Sequence, residues 1–125
     1  MIFGIGTDIL GRDRLNRGLD EAFIRYTYTA KEQAQAEART DPSAYYAARF
    51  SAKEAVFKAI STCLTAFRPQ DIETLDDENG KPSVHLHGET AREVGERFGE
   101  KTYEVLISLS CEDTAAIAYA LVQTE

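Results

Sequence analysis

The sequence predicts an α+β fold, with a mainly antiparallel sheet packed on one long helix and several shorter helices. Three observations carry this reading. A long stretch with apolar residues at helical spacing follows Asp41-Pro42. An Asn79-Gly80 pair separates two β-rich runs in the manner of a hairpin turn. Two more β-rich runs close the chain, and strands and helices do not alternate regularly enough for a doubly wound parallel sheet. With 125 residues the chain holds material for one compact domain, expected over residues 1–125.

Each element follows from local chemistry. The run Ile2-Phe3-Gly4-Ile5-Gly6-Thr7-Asp8-Ile9 is β-branched and predicts a buried strand with Asp8 at its C-terminal edge. Its glycines do not complete a dinucleotide fingerprint, because Ile9 stands where a third glycine is required. A short helix is expected over Arg12 to Leu19, and Thr29-Ala30-Lys31-Glu32 has the spacing of a capping box that starts a second. Asp41 suits the N-cap and Pro42 the first position of the long helix, which should run to about Leu64. Ala47, Phe50, Phe57, Ile60 and Leu64 define its expected buried stripe, and Glu54 stands inside that stripe.

Asp71 to Asp76 and Ser83 to His87 read as the two strands of a tight hairpin. Gly88 to Phe98 reads as an amphipathic helix with Val94 and Phe98 inward, Glu93, Glu96 and Arg97 outward, and Gly99 as its stop. Tyr103 to Ser110 and Ala115 to Val122 complete the sheet. The last run lacks the clean alternation of a one-sided strand, which fits burial on both faces.

Composition narrows the function. Hydrophobic residues at 43% and charged ones at 28% describe a soluble globular chain rather than a disordered one. A net charge of −7 argues against a general nucleic-acid binder. That charge is uneven: residues 1–68 carry ten basic and eight acidic side chains, residues 69–125 four and thirteen. An anionic partner would therefore dock on the N-terminal part; an acidic half that is simply a solvated face is the plain alternative. No apolar run approaches the roughly 18 residues of a membrane span. Met1-Ile2-Phe3-Gly4 carries no basic leader region, so a cytosolic location is expected. Cys63 and Cys111 are too few for a disulfide scaffold or a zinc site. His85 and His87 fall on one face of their strand, and without further ligand spacing a solvated face is expected there rather than zinc.

Glu54 requires an explanation, because an ionised carboxylate on an apolar face is costly unless it is paired or bound to a cation. Lys58, four residues on, offers an intrahelical ion pair. Alternatively, Asp8 and Glu54 converge on Mg²⁺, a hard cation that takes one or two carboxylates and leaves its other positions to water and substrate phosphate. Lys58 would then hold a phosphate oxygen.

Three strings, Gly4-Ile5-Gly6-Thr7-Asp8, Arg49-Phe50-Ser51-Ala52-Lys53-Glu54-Ala55-Val56-Phe57-Lys58-Ala59 and Asp76-Asp77-Glu78-Asn79-Gly80-Lys81-Pro82, occur in this order. Together they resemble holo-acyl-carrier-protein synthase, the small single-domain type of 4'-phosphopantetheinyl transferase. The resemblance implies that family's fold, a homotrimer with active sites at subunit junctions, and a defined reaction. The phosphopantetheine arm of coenzyme A passes to a serine of an acidic apo-acyl-carrier protein or carrier domain, and 3',5'-ADP leaves.

The resemblance also implies roles. Asp8 and Glu54 match the magnesium ligands, Lys58 a phosphate contact, and Glu54 is the candidate base for the serine proton. Arg49, Lys81 with Pro82, and Ser110 with Cys111 resemble positions that meet coenzyme A. Arg14 matches a residue that grips the carrier protein, and Arg17 and Arg25 would extend that patch. Two departures stand out. Cys111 follows Ser108-Leu109-Ser110 where the family usually has histidine, and Gly11 with Arg12 replaces a usual glutamate and apolar residue. A non-catalytic coenzyme A or carrier-protein binding paralogue is accordingly the alternative, and a hydrolase of the coenzyme A pyrophosphate a third reading.

Overall fold

The computed structural model describes residues 1–125. Strand β1 (Ile2–Gly11) is followed by three short helices, α1 (Arg12–Gly18), α2 (Glu21–Thr27) and α3 (Ala30–Glu37), and by the long α4 (Pro42–Ile60). Strands β2 (Ile72–Asp76) and β3 (Pro82–Leu86) form a hairpin, α5 (Gly88–Phe98) follows, and β4 (Tyr103–Cys111) and β5 (Ala115–Thr124) complete the chain. The order β1-β5-β4 makes one antiparallel sheet and β2-β3 a second. The expected α+β class, antiparallel pairing and long helix are all present.

Helix α4 is the spine shared by both apolar cores. Its Ala52, Ala55, Val56, Ala59 and Ile60 pack with Ile72, Val94, Phe98 and the β5 residues Ala118, Ala120 and Val122. Its N-terminal half, through Tyr45, Tyr46 and Ala47, packs with Leu15, Tyr28, Ala36 and Ala116. The expected stripe is therefore displaced. Ala47 and Ile60 are buried, but Phe50 and Phe57 are only half-buried, and Leu64 lies beyond the helix, which ends at Ile60 and runs into a 3₁₀ turn over Ser61–Cys63. The face against β1 is built of Ser51, Ala55 and Ala59, because only small side chains let a helix approach a strand this closely. Phe50 and Phe57 mark a flank instead.

Several caps match the sequence. Thr29 and Glu32 form a complete capping box at α3, and the Asp41 carboxylate accepts from the Ala44 amide at α4. Helix α2 was not expected. It is only two turns long, too short to display a period, although Asp20 caps it by accepting from the Phe23 amide at 2.8 Å. The hairpin turn also differs from the tight form. Asn79 keeps a negative φ and only Gly80, at φ 80°, is left-handed. The Asp77 amide donates to the Lys81 carbonyl, leaving three residues between them. Glu93 does not point outward: it is buried and accepts hydrogen bonds from Thr65 and Arg68.

The outer face of the three-stranded sheet is apolar and open. Ile5 is 72% exposed and Tyr119 60%, with Ile9 and Leu106 beside them. The lack of clean alternation in β5 has this cause: its inner side chains are alanines and a valine, and its outer ones are also apolar. No helix is long and apolar enough to cross a membrane.

Candidate active site

The site is built where β1 crosses α4. Two strand residues advance about 6.6 Å, and four helix residues advance about 6 Å. The two elements run in opposite directions and stay in step. A Cβ on Gly4 would stand 2.0 Å from the Ala59 carbonyl oxygen, and one on Gly6 would stand 1.9 Å from that of Ala55. Asp8 comes next on the strand and meets Ser51, whose Oγ lies 3.0 Å from Asp8 Oδ2. The glycines are required because strand and helix touch backbone to backbone, and the first side chain with room to stand is Asp8. Asp8 is thus inside the strand, three residues before its end, and not at the C-terminal edge expected for it.

Glu54, less than one turn beyond Ser51, faces the same point. Its carboxyl is raised to about 7 by burial, by a hydrogen bond shared with Asp8 and by the charge of Asp8; Lys58 and Arg14 oppose the shift. Lys58 pairs with Asp8 and not with Glu54. Its Nζ donates to the Thr7 carbonyl at 3.0 Å and to Asp8 Oδ1 at 3.3 Å. The intrahelical Glu54–Lys58 bridge is therefore absent, and Glu54 carries no salt bridge of its own.

Asp8 and Glu54 open onto a cleft of about 510 Å³ whose walls include Arg14, Leu15, Phe23 and Phe50. Two carboxyls on one cleft fit a hard divalent cation, whose charge would oppose the upward shift of Glu54. No third carboxylate, histidine or thiol joins them, so such an ion would keep most of its positions for other ligands.

A second cleft, of about 410 Å³, brings together Arg49, Pro82 and Cys111, which lie far apart in sequence. Arg49 is buried, its guanidinium lies 4.6 Å from the Tyr45 ring centre, and its Nη2 donates to Asp76 Oδ1 at 2.6 Å. The other terminal nitrogen, Nη1, is buried without a hydrogen-bond partner. Arg39 donates to the second Asp76 oxygen. Cys111 is held above its ordinary thiol range, chiefly by desolvation, so it stays neutral.

Other expected residues disperse. Lys81 is exposed on a neighbouring groove with Ser83 and Val84, which Pro82 also borders. Ser110 is exposed opposite Ile117. Arg14 reaches the carboxylate cleft, Arg17 is on the α1 surface, and Arg25 lies in a separate groove with Glu37 and Tyr46. His85 and His87 do not form a pair: His87 sits beyond β3, with Nε2 3.0 Å from Glu73 Oε1. The space beside Gly11 is open, the nearest atom to a Cβ being Arg14 Cβ at 4.0 Å. Arg12 instead ties α1 to α4, donating to Asp41 at 2.9 Å and to Ser43.

Sequence reasoning assigned no role to three features. Lys53, inside the motif, is fully buried, and its Nζ donates to Glu32 Oε1 and to the carbonyls of Pro69 and Ile72, each at 2.8 Å. Ser51 and Asp76 were read only as parts of strings. The one available signal was the four-residue spacing of Ser51, Ala55 and Ala59 against the two-residue spacing of Gly4, Gly6 and Asp8.

The chain matches the 4'-phosphopantetheinyl transferase superfamily over residues 4–120. It is 40% identical over 127 residues to a holo-[acyl-carrier-protein] synthase of Clostridium novyi, covering 100% of this chain and 90% of the relative. Among solved structures it is similar to the holo-ACP-synthase of Plasmodium yoelii, with a TM-score of 0.82, 31% identity and coverage of 98% and 94% of the two chains. It is also similar to a Bacillus anthracis holo-(acyl-carrier-protein) synthase in complex with CoA (3',5'-ADP), with a TM-score of 0.76, 27% identity and coverage of 98% and 96%.

Proposed function

The chain belongs to the 4'-phosphopantetheinyl transferase superfamily, as an enzyme of its holo-[acyl-carrier-protein] synthase branch. Within it we propose that the chain transfers the phosphopantetheine arm of coenzyme A to a serine of an acidic apo-acyl-carrier protein or domain. The observation that carries this reading is the Asp8–Glu54 carboxyl pair on a cleft bordered by Arg14. In the reaction the serine oxygen bonds to the β-phosphorus, the bond from that phosphorus to the bridging oxygen breaks, and 3',5'-ADP departs.

Asp8 and Glu54 would hold Mg²⁺, which when bound offsets negative charge on the pyrophosphate. Glu54, which faces the same cleft as Asp8, is the candidate to take the serine proton. Lys58, half-exposed, has its ammonium 3.3 Å from Asp8 Oδ1, and a phosphate oxygen would compete for it. Arg49, with one unpartnered nitrogen, Lys81 with Pro82, and Ser110 with Cys111 supply the coenzyme A contacts. Arg14 and, farther out, Arg17 and Arg25 present positive charge to the carrier, so association should weaken with salt.

We place all 125 residues in one domain, because both cores share α4. The homotrimer is supported by the open apolar sheet face around Ile5, Leu106 and Tyr119, which association would cover. A cytosolic enzyme is consistent with two unpaired cysteines. The test is to incubate the protein with coenzyme A, Mg²⁺ and apo-carrier and to weigh the carrier. A gain of one phosphopantetheine arm supports transfer. An unchanged carrier with coenzyme A still bound would make this a binding paralogue.

A further inference from the structure

We propose that Ser51 is a positioning residue for the Asp8–Glu54 pair, its buried hydroxyl fixing the Asp8 carboxylate in the orientation that receives the divalent cation. The inference rests on the metal-binding reading above. Ser51 is completely buried in α4, and its Oγ lies 3.0 Å from Asp8 Oδ2 and 3.2 Å from the Asp8 carbonyl oxygen. A serine in mid-helix usually faces solvent or bonds back to the carbonyl one turn earlier. This one donates to another element.

The two Asp8 oxygens are thereby told apart. Oδ2 faces the Ser51 hydroxyl inside the protein, and Oδ1 faces Lys58 at 3.3 Å on the open side. Lys58 is half-exposed, and a phosphate can draw its ammonium away. Ser51 is sealed from solvent, and no ligand can displace it. It therefore keeps Asp8 in place both before and after substrate enters. The alanine neighbours Ala47, Ala52 and Ala55 carry no donor that could replace it. Outer-sphere partners of metal ligands typically contribute about 10–100-fold in affinity.

The test uses the whole protein and Mn²⁺ alone, with binding followed by the electron paramagnetic resonance signal of the free ion. Ser51→Ala is expected to weaken Mn²⁺ binding by about tenfold or more, while the thermal midpoint changes little. In the transfer assay the Mg²⁺ concentration for half-maximal rate should rise in parallel, with kcat at saturating Mg²⁺ retained. Ser51→Cys, somewhat larger and a weaker donor, should fall between parent and Ser51→Ala, and it serves as the readout should Ser51→Ala not fold. Equal Mn²⁺ affinity in parent and variants would overturn the role of Ser51 and leave the site standing. A parent protein that takes up no Mn²⁺ would overturn the site and the role together.

Discussion

Gly6 and Ala55 touch backbone to backbone: a Cβ on residue 6 would stand 1.9 Å from the Ala55 carbonyl oxygen. Neither strand nor helix can yield locally, because β1 is paired with β5 on one side and α4 is held in both apolar cores. Gly6→Ala should therefore lift β1 off the helix, at a cost near the top of the roughly 1–3 kcal/mol typical of overpacking, and separate Asp8 from Glu54. Urea denaturation and the transfer assay should both register the loss. Gly18→Ala, where nothing lies within 4 Å, is the matched control and should be neutral or slightly stabilising.

Glu54 predicts an inverted pH dependence in the metal-free protein. The group titrates near 7 when folded, above its ordinary value of 4.5. Between those values the unfolded chain is ionised at this position and the folded protein is protonated, so folding takes up a proton. The stabilising contribution is full below the lower value and is lost as pH rises through the upper one. Thermal midpoints of parent and Glu54→Gln, compared from pH 5 to pH 8, should show the variant gaining on the parent as pH rises, and Mg²⁺ should reduce that difference. Transfer by Glu54→Gln should fall by at least about 10²-fold.

Lys53 and Glu32 form an ion pair sealed from water, and Glu32 also accepts from the Thr74 amide and hydroxyl. Lys53→Met leaves Glu32 buried without its counter-charge and should cost about 3–5 kcal/mol. Replacing both, as Lys53→Met with Glu32→Gln, should cost less than the single change. The comparison is a urea midpoint series at neutral pH.

Asp76 occupies the two arginines of the second cleft. Asp76→Asn keeps an acceptor for Arg49 and removes the negative charge, so the KM for coenzyme A should fall roughly three- to tenfold with kcat retained. Cys111→His should act in the same direction by adding a cationic group where the thiol is neutral. Steady-state kinetics at varied coenzyme A reads both.

Sequence alone determined the elements whose signals are local. A capping box at Thr29, an Asp-Pro start at residue 41, a glycine stop at residue 99 and β-branched runs each act within a few residues, and the structure contains them all. The motif strings likewise pointed to Asp8, Glu54 and Lys58 before any fold was in hand. Tertiary structure decided what those residues do to one another. That Lys58 pairs with Asp8 and not Glu54, that Asp76 joins Arg39 to Arg49, and that Glu93 turns inward to Arg68 all depend on elements brought together from distant parts of the chain. The strand–helix crossing sets the site: a two-residue period and a four-residue period of nearly equal length place Asp8 against Ser51, and that match appears only when the two backbones lie side by side.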